Sequence, residues 1–176
     1  MSLRAAPRVG LVIAVVLLAQ STVGLDLRIA GVHPDLVWLL PIAAGLTAGP
    51  QEGALVGFVA GLGVDLFLPT PLGLTALVGC LLGFGVGRAT AGLSTSGPWL
   101  SIVAALAGST AAVMLYAVLG AVLGQEQMLR VDLGSVVAVV AGVNALLVLP
   151  TVRTMRRALG SEPTSRRRTL ASGARW

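Results

Sequence analysis

The stretch from Glu52 to Gly79, EGALVGFVAGLGVDLFLPTPLGLTALVG, constrains the fold most, because it places one carboxylate in an apolar run flanked by evenly spaced glycines. It reads as two membrane-crossing helices joined by the tight turn Pro69-Thr70-Pro71-Leu72-Gly73, with Asp65 just before the turn. An Asp at the centre of a membrane helix costs roughly 2.5 to 3.5 kcal/mol on insertion scales, so it faces a partner helix, a cation or water. Gly49, Gly53, Gly57 and Gly61 recur every fourth residue before the turn, and Gly79, Gly83 and Gly87 do so after it. Small residues at this spacing let helix backbones approach closely where no hydrophobic force presses them together. The ladders pack either this chain's own helices or a partner's membrane helix.

Composition sets the environment of that hairpin. Of 176 residues, 56% are hydrophobic and 11% charged, too few charges to cover a water-facing surface. The chain is therefore expected to be an integral membrane protein. All twelve basic residues are Arg, gathered mostly at the chain ends where anionic headgroups would meet them. Nucleic-acid binding is a poor explanation of that charge, since a basic face needs a water-soluble domain to carry it. Cys80 is the one cysteine, in an apolar run, which excludes an intrachain disulfide and a multi-cysteine metal site.

Six apolar segments follow one another. The first, Val9 to Val23, comes after Arg4 and Arg8; a signal peptide has the same order, but the later segments favour a retained signal-anchor helix. A polar break holds Asp26, Arg28 and His33. The second helix opens on Pro34 and Asp35, whose acid can face the positive helix end, and runs to Gly49 with a kink expected at Pro41. After the turn Gly49 to Glu52, the third helix reaches Leu68 and the fourth spans Leu72 to Val86. A Ser/Thr/Gly loop, Ala89 to Pro98, precedes the fifth, Trp99 to Leu123, with Trp99 as an interfacial anchor. The sixth spans Leu133 to Leu149, and the tail from Arg153 to Trp176, with seven Arg, is expected to be disordered or to lie on headgroups. With both termini on one side, ten Arg lie there and only Arg28 and Arg130 on the other, which fits cytoplasmic ends and an outer-face turn.

For Asp65 two readings stand: a latch accepting hydrogen bonds from a neighbouring helix or from Arg28 or Arg130, or an acid that snorkels to the interface without a specific partner. Asn144 and Gln20 are candidates for interhelical hydrogen bonds, each worth about 0.6 kcal/mol on average. His33 stands without a second ligand for a metal. The run Gly83-Phe84-Gly85-Val86-Gly87 lacks the strand and spacing of a phosphate loop. Neither paired carboxylates nor a nucleophile with a base occur in the apolar segments, so no enzyme and no cofactor are expected.

Pro34-Asp35-Leu36, the Gly49-Pro50 turn, Gly57-Phe58, Gly61, Asp65, Pro71-Leu72-Gly73 and Ala76-Leu77 together resemble the MreD family of rod shape-determining membrane proteins, over Pro34 to Arg88. The resemblance implies a non-enzymatic part of the cell-wall elongation machinery in the bacterial cell membrane, beside MreC, MreB, and RodA with its class B penicillin-binding protein. It implies an all-α polytopic fold of about six transmembrane helices, similar to the substrate-binding components of energy-coupling-factor transporters. Vitamin transport is the competing function, but Ala6, Gly10 and Ala14 only partly match the small-residue docking pattern of those subunits.

Overall fold

A computed structural model describes residues 6–26, with side chains to Gln20, and residues 35–67, 71–93, 97–125 and 132–159. The regular elements among them are all helices: α1 (Ala6–Asp26), α2 (Leu39–Ala48), α3 (Pro50–Asp65), α4 (Leu74–Ala89), α5 (Pro98–Val122) and α6 (Leu133–Leu159). By length and composition α5 and α6 are able to cross a membrane. At 1.5 Å per residue they are about 37 and 40 Å long, against about 24 Å for α3 and α4 and about 15 Å for α2.

The shortest helix lies at the centre. Every residue of α2 from Leu39 to Leu46 is buried, which suits a helix that is apolar on all faces. It packs against α3, α4, α5 and α6. Trp38 at its start meets Tyr116 of α5 edge to face, with ring centroids 6.1 Å apart. The expected kink at Pro41 does not occur, because α2 begins at Leu39 rather than Pro34. Pro41 thus falls in the first turn, where its missing N–H deprives the helix of no hydrogen bond. Asp35 lies ahead of that turn, where its Oδ1 accepts from the Val37 N–H at 3.2 Å. Pro34 lies outside the described residues.

Around α2, α5 and α6 pack on each other, and α1 packs on α6 and α3. Helix α1 buries Val9 and Ile13 on one face and exposes Leu11, Val15 and Leu18 on the other. The sixth helix continues ten residues past its expected end at Leu149, straight through Pro150. Val152, Met155 and Ala158 continue the buried row one turn at a time, and that packing outweighs the hydrogen bond lost at the proline. Arg153, Arg156 and Arg157 are therefore helical and not part of an irregular tail, while residues 160–176 lie outside the described residues. At the other end of α6, the Ser135 hydroxyl donates to Asp132 at 2.5 Å and holds that exposed carboxyl below its usual range.

Candidate functional site

The α3–α4 hairpin is joined backbone to backbone. Gly53 faces Gly83, Gly57 faces Gly79, and Gly61 faces Thr75 and Ala76, an antiparallel register that steps by one helical turn. A β-carbon on Gly79 would lie 2.6 Å from the Gly57 carbonyl oxygen, and one on Gly61 would lie 2.5 Å from that of Thr75. At these glycines no side chain larger than hydrogen fits. The approach sets Cα–H groups against carbonyl oxygens, a weak attraction repeated along both helices. The seam continues at Gly87, which rests on Pro50, and draws in α2 at Gly45, where a β-carbon would lie 2.7 Å from the Gly83 carbonyl oxygen. Gly45 extends the four-residue spacing of Gly49, Gly53, Gly57 and Gly61, so the signal for it was present in the sequence.

Asp65 closes the hairpin at its turn end. It is the last residue of α3 and is 1% exposed. Its Oδ2 accepts from the N–H of Gly73 at 2.9 Å and of Ala76 at 3.2 Å, and its Oδ1 accepts from the N–H of Thr75 at 3.2 Å. These are orphan donors of the first turn of α4, which has no side-chain cap from Gly73 itself. Asp65 thus caps another helix from outside it, with its carboxylate at the positive end of α4. Gly73 takes φ +95°, a conformation that side-chain-bearing residues rarely adopt, and Pro71 supplies the carbonyl that accepts the Leu74 N–H at 3.2 Å. Arg28 and Arg130, the two cations expected as partners of Asp65, lie outside the described residues, as do Pro69, Thr70 and His33.

A second polar group lies deeper. Asn144, on α6 and fully buried, donates through Nδ2 to the Ser109 hydroxyl of α5 at 2.8 Å and to the Asp35 carbonyl at 3.2 Å. Gln20 of α1 accepts the Leu36 N–H at 2.9 Å and donates to Asp35 Oδ1 at 3.3 Å. Four separate parts of the chain are tied at the start of α2. Ser109 carried no sequence signal, since an isolated serine in an apolar helix normally bonds its own backbone. A double-mutant cycle of Ser109→Ala and Asn144→Ala, read by detergent unfolding, is expected to give a coupling of about 0.6 kcal/mol, and a null coupling would remove the pair from the fold's stabilising contacts.

A few polar groups are buried within the apolar core, while many large apolar side chains are exposed. Leu55, Phe58, Val59 and Leu62 of α3, and Leu77, Leu81 and Phe84 of α4, are exposed on the side of the hairpin away from its seam. A groove of about 410 Å³ between α4 and α5 is likewise apolar, walled by residues such as Leu81, Val86, Val103 and Ala107. Among the described residues no group of His, Cys, Asp and Glu is placed to hold a metal ion. An all-helical bundle that exposes many large apolar side chains and holds two helices long and apolar enough to cross a membrane has the character of a membrane protein. The family described as rod shape-determining protein MreD has a model that matches residues 7–156, and the chain belongs to that family. Its role is accordingly in the determination of rod shape, within a family of structural rather than enzymatic character. No curated protein and no solved structure gave a match.

Proposed function

We propose that this protein is a non-catalytic scaffold of the cell-wall elongation complex, which binds MreC and positions the peptidoglycan synthase formed by RodA and its class B penicillin-binding protein. MreB would be coupled to it directly or through MreC. In this reading the chain crosses the bacterial cell membrane six times with both termini in the cytoplasm, as the ten-to-two division of Arg supports. The likeness in fold to energy-coupling-factor components rests on the sequence resemblance, and family membership favours the scaffold over the transporter.

The observation that carries the reading is the internal use of the glycine ladder. With Gly53, Gly57, Gly61, Gly79 and Gly83 filled by each other's backbones, the hairpin meets partners through its outer row, Phe58, Leu62, Leu77 and Phe84 among them. Pairing through such a row depends on close side-chain packing, because lipid tails are as apolar as the helices they surround. Co-purification with MreC from solubilised, mildly crosslinked membranes tests the proposal. Recovery of MreC is the expected result, and its loss from the Phe58→Ala/Phe84→Ala protein would place the contact on the outer row. Failure of the unaltered protein to retain MreC or any wall-synthesis protein would remove the scaffold reading.

A further inference from the structure

At one end of the α5–α6 pair is a pocket of about 200 Å³, lined by Gly97, Pro98 and Ser101 on one side and by Val152, Arg153 and Arg156 on the other. Helix α5 starts there without a side-chain cap, and Pro98 in its first turn has no N–H. The amides of Trp99 and Leu100 precede the first residue whose N–H finds an acceptor within the helix, and they add to the positive end of a 25-residue dipole.

Two further observations point to a ligand. Ser101 is only 8% exposed, yet its hydroxyl makes no hydrogen bond to any described residue, and it lines the pocket. Arg153 and Arg156, three residues apart and so on one face of α6, pair with no carboxylate among the described residues. A helix start without a side-chain cap, the hydroxyl of a buried serine and two guanidinium groups, these side chains without a hydrogen-bond or ion-pair partner among the described residues, surround one small space. Each of them can donate a hydrogen bond, and none of these side chains pairs with a carboxylate among the described residues. Beside the pocket Trp99 is 73% exposed, as an aromatic at headgroup level is.

We propose that this pocket binds a phosphate group, held by the guanidinium groups of Arg153 and Arg156, the Ser101 hydroxyl and the first-turn amides of α5. A tetrahedral anion with several free oxygens matches that donor set, and guanidinium forks suit it better than point charges would. The phosphodiester of an anionic phospholipid and inorganic phosphate share this chemistry. The site is independent of the scaffold reading, since it involves neither the hairpin nor its outer row.

The test uses the full chain, reconstituted with equal phosphatidylglycerol and phosphatidylcholine, then released and examined by native mass spectrometry. The unaltered protein is expected to retain phosphatidylglycerol preferentially, and Arg153→Gln/Arg156→Gln to lower that retention roughly tenfold, in keeping with the loss of charge-assisted hydrogen bonds. Arg88→Gln/Arg157→Gln removes equal charge outside the pocket and is expected to retain the lipid. Ser101→Leu fills the pocket without changing charge and is expected to lose it, which keeps the test decisive should the arginine variant fold poorly. Inorganic phosphate added to lipid-free protein in detergent separates the sources. A phosphate-dependent rise in melting temperature that Arg153→Gln/Arg156→Gln abolishes, without selective lipid retention, would uphold the site with free phosphate as its ligand. Equal phosphatidylglycerol retention by all variants, or equal loss in the control pair, would overturn the proposal.

Discussion

Gly57→Leu is expected to force α3 away from α4 and to be among the most damaging single substitutions in the hairpin. The position occupied by a β-carbon there is already taken by the Gly79 carbonyl, with Pro41 of α2 behind it at 2.9 Å. Overpacking in a well-filled core usually costs about 1 to 3 kcal/mol because side chains shift. Here the obstruction is backbone on backbone, so relief requires moving a whole helix, and the loss is expected at or beyond the upper end of that range. Gly85 of α4, beside which a β-carbon would meet nothing within 4 Å, provides the control in the same hairpin. Unfolding of the two purified variants in detergent should separate them clearly. A Gly57→Leu protein as stable as Gly85→Leu would show that the seam contributes nothing.

Asp65→Leu is the second large effect. Relief of the insertion cost favours this change, and the variant is expected to reach the membrane. Once there, the N–H groups of Gly73, Thr75 and Ala76 lose their acceptor, and each buried donor left unmade costs about 1 to 3 kcal/mol. A net loss of about 3 kcal/mol or more is expected, with fraying of the first turn of α4. Asp65→Asn keeps one acceptor oxygen but turns an amide group toward N–H donors, so it should fall between leucine and the natural residue. Hydrogen exchange of the Thr75 and Ala76 amides reports this directly. Unchanged protection in Asp65→Leu would mean that the carboxylate only borders the turn without holding it.

The hairpin was legible because its cause is local. Glycines every fourth residue on both sides of a Pro-Gly turn specify two helices in close contact, and a lone acid before the turn demands donors, which the next helix start provides. Its partner could not be chosen from the sequence, since backbone amides carry no residue-type signal and Arg28 and Arg130 were equally suitable on charge. The central place of α2 was hidden for a different reason. A ten-residue helix that is apolar on all sides has the composition of a short crossing, and only the tertiary arrangement reveals that four helices surround it. Asn144 was legible as a polar residue needing a partner, but Asp35 lies 109 residues away, and no pattern links them. The end of α6 lies beyond the expected Leu149 because the buried row Val152, Met155 and Ala158 continues past Pro150, and prolines in membrane helices are tolerated where neighbours hold the backbone.

The glycine seam also limits how the hairpin can respond to force. Sliding α3 along α4 by a fraction of a turn would push carbonyls into the adjoining main chain, and the next matching position is four residues on, about 6 Å away. At the turn, Asp65 acts as a pawl that blocks even this jump. Tension applied at one end of the pair is therefore expected to emerge at the other as displacement of a single stiff strut.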